Sequence, residues 1–223
     1  MSAADPAGLP RQRRGTTPQM HGRYPDFDVL EELDHWDERT RELIVARVES
    51  VPRRRFFSRE EFATLAAFAD VVLAQDREPR VPAMSLVDAK LERGTGDGFR
   101  YDDMPEDAET WRVAARGLDE AAGGSFADAP PELRERIVDD VASGAVAGAA
   151  WSEVNVKRAF AVVMRGLLEA FYSHPWAWNE IGFGGPAYPR GYQALGVDRH
   201  EPWEAREDFD VDPVRDVRER GLK

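Results

Sequence analysis

The sequence predicts an all-α fold, an irregular helical bundle with a coil-rich, aromatic C-terminal extension. Apolar residues recur at three- and four-residue steps through most of 28–173, the spacing that lines one face of a helix. No stretch alternates apolar and polar residues long enough for a strand, and no internal repeat is present. After residue 173 the helical period fails while aromatic residues stay dense among Pro and Gly. These observations divide the chain into an N-terminal arm over 1–27, a helical domain over 28–173, and an irregular aromatic wrap with a charged tail over 174–223.

The arm is rich in Pro, Gly, Arg and Gln, and buries too little apolar surface to offset the entropy of ordering it. It is expected to stay disordered or to order on a partner. From Val29 to about Ser50, Leu30, Leu33, Trp36, Thr40, Leu43, Ile44 and Val48 predict one amphipathic helix ending before Pro52. Ser58-Arg59-Glu60-Glu61 is a capping box, and the stripe Phe62, Leu65, Ala66, Ala69, Val72, Leu73 follows it. Pro79 and Pro82 require a loop, after which Ser85 caps a short helix that stops at Gly94. Residues 94–107 read as a surface connection. A helix from about Glu106 carries Trp111, Ala114, Ala115 and Leu118 and is closed by Gly123-Gly124. The next begins at Pro130-Pro131, and the last, from Ser152-Glu153 through Tyr172, is expected at the centre of the bundle.

Composition narrows the function. With 42 acidic against 30 basic side chains the net charge is −12, which opposes attraction to phosphate and disfavours nucleic acid and anionic lipid as partners. The absence of cysteine removes disulfides, thiolate nucleophiles and cysteine-held redox centres, so a redox centre must belong to another chain. No apolar run approaches the roughly 18 residues of a membrane helix. Arg13-Arg14 is followed by Gly-Thr-Thr-Pro-Gln without an apolar stretch, so export by this chain's own signal is not expected, and a cytoplasmic location is.

Four patterns invite chemistry. Gly182-Phe-Gly184-Gly185-Pro-Ala187 has the letters of a dinucleotide fingerprint, but that mechanism needs a strand before it and a helix after it; a loop of close backbone packing is favoured. Glu32-Leu-Asp-His35 fits one half of a carboxylate-bridged di-iron motif, and a second copy is missing. His174 lacks a nearby nucleophile or orienting group and is read as a helix C-cap rather than a base. Asp102-Asp103 and Asp139-Asp140 read as solvated. No catalytic or metal-binding residue is therefore assigned.

Residues suited to holding another molecule are plentiful. Arg53, Arg54 and Arg55 suit an acidic partner surface or a solvated charge run, and the two readings stand equal. Trp176, Trp178, Phe183, Tyr188, Tyr192 and Trp203 belong to residue types that carry interface energy, shared between internal packing and partner contact.

Three stretches resemble the gluconate 2-dehydrogenase subunit 3 family. Phe56-Phe57-Ser58-Arg59-Glu60-Glu61-Phe62 through Asp70 is similar to its opening helix, Gly117-Leu118-Asp119 and Gly124-Ser125-Phe126 to its middle, and Phe171 through Pro175 with Gly182 through Pro189 to its close. The resemblance spans roughly residues 55 to 195. It implies a non-catalytic small subunit that supports a large FAD-dependent dehydrogenase or oxidase of the glucose-methanol-choline type, acting on a sugar, sugar acid or glycoside. It implies no cofactor on this chain, FAD on the partner subunit, and a hetero-oligomer. The competing expectations are a free-standing helical carboxylate or metal enzyme and a self-associating helical scaffold.

Overall fold

The computed structural model describes residues 24, 26–75, 78–96, 98–191 and 200–207, and among these it is helical without strands, as expected. Seven α-helices follow in order: α1 Glu38–Glu49, α2 Arg59–Val72, α3 Ala83–Glu92, α4 Asp107–Ala122, α5 Pro131–Ser143, α6 Val156–Tyr172 and α7 Pro175–Ile181. The described residues form two compact units, one within Val51–Phe171 and one that joins those before residue 51 to those after residue 171.

In the unit of Val51–Phe171, α2 starts on the capping box: Ser58 Oγ accepts from the Glu61 amide at 3.1 Å, while the Glu61 carboxylate accepts from the Ser58 amide at 2.8 Å. Its buried face carries Leu65, Phe68 and Ala69. That face packs on α3, α4, α5 and a 3-10 turn at Phe126–Asp128. Helix α6 buries Ala159, Val162, Val163, Leu167, Ala170 and Phe171, and its Phe160 meets Phe68 of α2 edge-on with centroids 6.3 Å apart.

Two helix starts differ from expectation. Helix α3 begins at Ala83, before Ser85, because Pro82 with φ −77° already sets the chain for helix entry. Helix α6 begins at Val156 because Ala150–Glu153 forms a separate 3-10 turn that buries Trp151, and Asn155 Oδ1 then accepts from the Arg158 amide at 3.2 Å. The loop before α3 is closed by Gln75, whose buried amide accepts from Val81 N at 2.7 Å and donates to Val81 O at 3.1 Å.

In the other unit the single helix expected over 29–50 is broken. Val29–His35 is a 3-10 turn, Trp36 is extended at φ −109° and ψ 155°, and Asp37 restarts the chain by accepting from Thr40 N at 2.8 Å. Leu43, expected on the buried stripe, is 49% exposed as a result. The wrap expected from residue 174 opens on a helix, α7, which packs on α1 and on the Val29–His35 turn. Pro175 occupies its first turn, where a missing amide costs nothing, and Gly182 ends it at φ +65°.

Candidate partner-binding surfaces

Residues 174–191 and 200–207 carry the aromatic density, and the structure separates them into buried and presented groups. Trp176 and Trp178 are buried, at 8% and 5% exposure. Trp178 donates its Nε1–H to Tyr172 O at 2.6 Å and stacks edge-on against Phe183 at 5.5 Å. Phe183 is 37% exposed and Tyr188 68% exposed. Trp203 is half-buried, and Tyr192 lies outside the described residues.

The guanidinium of Arg190 lies over two rings, 4.7 Å from the centroid of Trp203 and 5.6 Å from that of Trp36, and donates to the Gly184 carbonyl. Trp36 Nε1 donates to Pro186 O at 2.9 Å. Asn179 joins α7 to the chain start by accepting from Val29 N at 2.8 Å. The wrap is thus a cross-linked layer of rings, carbonyls and one cation.

This arrangement answers the patterns that invited chemistry. At Gly185, with φ +81°, a Cβ would stand 2.3 Å from Trp36, and at Gly182 one would stand 2.7 Å from Tyr24. The glycines seat aromatic rings, and a helix rather than a strand precedes them, so the loop does not fit a dinucleotide. Glu32 and His35 face each other at 3.3 Å; burial raises the Glu32 pKa, while His35 and Arg190 act to lower it. Among the described residues no group of three or more His, Asp or Glu side chains is placed to share a metal ion.

His174 caps the start of α7 rather than the end of α6. Its Nδ1 accepts from Trp176 N at 3.2 Å, which places the ring proton on Nε2. Desolvation lowers its pKa to about 4, outweighing a backbone hydrogen bond with Arg47 that acts to raise it, so the ring is neutral at pH 7. Arg47 donates to Ser173 O at 2.6 Å, satisfying a carbonyl at the end of α6.

Arg53, Arg54 and Arg55 are all exposed. Their backbone is fixed from α3 by Asp88, a fully buried carboxylate that accepts from the amides of Arg55 at 2.6 Å, Phe56 at 3.1 Å and Phe57 at 3.0 Å. Sequence reasoning overlooked Asp88, Arg47, Asn179 and Arg190. The signal for Asp88 was its place in the apolar register Met84, Val87, Asp88, Leu91, where a carboxylate must find donors.

A protein-family model for gluconate 2-dehydrogenase subunit 3 matches residues 59–185, more than half of the chain. The chain belongs to the gluconate 2-dehydrogenase subunit 3 family. Membership makes it an accessory subunit of a dehydrogenase, with a dehydrogenase complex as its setting. The family match begins at the first residue of α2 and ends on Gly185, the seat of Trp36. Within it, Gly117 lies so close under Trp151 that a Cβ would stand 2.4 Å from the indole. Two residues on, Asp119 accepts from Thr64 Oγ1 at 2.7 Å and from Phe126 N at 2.9 Å, joining α2, α4 and the following turn. No curated protein and no solved structure matches the chain. Among the described residues no helix is long and apolar enough to cross a membrane.

Proposed function

We propose that this chain is the non-catalytic small subunit of a heteromeric, FAD-dependent dehydrogenase or oxidase of the glucose-methanol-choline type, acting in the cytoplasm on a sugar, sugar acid or glycoside. The family match over residues 59–185 carries the reading. In it the flavin belongs to the larger subunit, and this chain supports the folding and solubility of that subunit. Among the described residues the surface offered to the partner comprises Phe183, Tyr188 and the accessible edge of Trp203, with Arg53, Arg54 and Arg55 as a separate charged contact; Tyr192, outside the described residues, joins it by residue type alone. Trp176 and Trp178 shape that surface from beneath. Exposed aromatic groups on a braced backbone suit a partner because little side-chain entropy is lost on binding.

The test is expression of the chain alone and together with the flavoprotein that co-purifies from its source. The lone chain is expected to be colourless and inactive; the pair is expected to show a flavin spectrum and to oxidise a carbohydrate. Turnover by the lone chain would overturn the reading.

A further inference from the structure

A run of three arginines ordinarily makes a solvated strip whose members repel one another and share no fixed geometry. The segment 53–57 is different because its backbone is held. Three successive amides, of Arg55, Phe56 and Phe57, converge on the buried Asp88 carboxylate. Phe57 is itself buried, and the Arg112 guanidinium sits 4.4 Å over the Phe56 ring. Arg54, also exposed, donates to Phe57 O and is held back along the chain by that bond. Arg53, Arg55 and Arg59, the first residue of α2, remain exposed and make no ion pair among the described residues. The carboxylates nearest in sequence are Glu49 and Glu60, both exposed, and Glu61, which is engaged with the Ser58 amide.

The surroundings point to the partner's chemistry. On a chain of net charge −12 these arginines form a local positive patch, and the short-range complement of such a patch on a protein partner is a cluster of carboxylates. Arginine, with its planar fork, suits bidentate pairing with carboxylates, and holding the backbone in advance removes part of the ordering cost. We propose that Arg53, Arg55 and Arg59, with Asp88 as the positioning residue, form a preset docking edge for an acidic segment of the larger subunit. The proposal rests on the reading of this chain as an accessory subunit.

The experiment measures affinity for the co-purifying flavoprotein by calorimetry over a range of NaCl concentrations, using the full chain. Wild-type affinity is expected to fall as salt rises. Arg53→Glu with Arg55→Glu is expected to weaken binding at least about tenfold with the thermal midpoint unchanged, and Arg53→Lys with Arg55→Lys to restore part of the loss. Asp88→Asn keeps every arginine and is expected to weaken binding several-fold. The charge reversal should cost less on that background than on the wild type, a coupling that an aspartate of merely structural importance does not produce. If the flavoprotein binds the wild type and the reversed variant equally well, the docking edge is overturned while the subunit reading stands. If no flavoprotein binds the wild type, the subunit reading fails and the edge with it. Binding of the arginines to duplex DNA, to phosphatidylserine vesicles or to a second copy in place of the flavoprotein also overturns it.

Discussion

Two residues show how single side chains decide the shape of the aromatic layer. Gly185 combines a left-handed φ of +81° with an indole 2.3 Å from where its Cβ would lie. Gly185→Ala adds backbone strain to a steric clash and is expected to cost roughly 2 kcal/mol or more, read as a lower denaturation midpoint with the Trp36 fluorescence environment altered. His174 makes the layer sensitive to acid. Its folded pKa of about 4 lies below the 6.5 of an unfolded histidine, so folding keeps the ring neutral. Its stabilising contribution is complete above pH 6.5 and is lost as the pH falls towards 4, a loss of roughly 3 kcal/mol over that window. Chemical denaturation at pH 7, 5.5 and 4.5 should show the decline. His174→Asn keeps a capping oxygen without titrating there and should flatten it.

At the scale of elements, helix ends were legible where the local pattern alone marks them and illegible where a cap, as at Asp37 and His174, takes effect only once distant groups have set the chain. Ser58 and Glu61 announced α2 because their reciprocal bonds depend only on local spacing. Ser58→Ala is accordingly expected to cost about 1 kcal/mol in urea unfolding, with Glu61→Ala costing less when made second than when made alone. Gly123 and the proline at residue 131 were similarly local signals. The break at Trp36 was not legible, because the helical period runs on through it. It is stabilised from elsewhere in the chain by the Pro186 carbonyl and the Gly185 seat, and pattern reading carries no knowledge of groups about 150 residues away. Helix α7 was missed for a related reason: seven residues bounded by Pro and Gly carry too little periodicity to register, and the helix is completed by the His174 cap and by packing on α1. The candidate site was half legible. Residue type singled out the tryptophans, but only packing separates Trp176 and Trp178, which lie inside, from Phe183 and Tyr188, which face out.

That separation gives the whole molecule its clearest test, because stability and association should respond to different rings of one aromatic segment. Trp178 is 5% exposed and bonded to Tyr172 O, so Trp178→Ala removes both buried area and that hydrogen bond. A loss of about 3 to 5 kcal/mol of folding stability is expected, seen as a large fall in thermal midpoint before any partner is added. Tyr188 is 68% exposed, and truncating an exposed ring changes stability by only about 0.5 kcal/mol. If Tyr188 meets the larger subunit, however, Tyr188→Ala should weaken the complex by more than about 1 kcal/mol, and Phe183→Ala should do so too with a small cost from its lost contact with Trp178. The paired measurement is thermal denaturation of each lone variant and its affinity for the co-purified flavoprotein. An accessory subunit of the proposed kind gives opposite rankings in the two assays. Identical rankings would mean that the aromatic segment acts only within this chain, leaving the arginine edge as the remaining candidate contact.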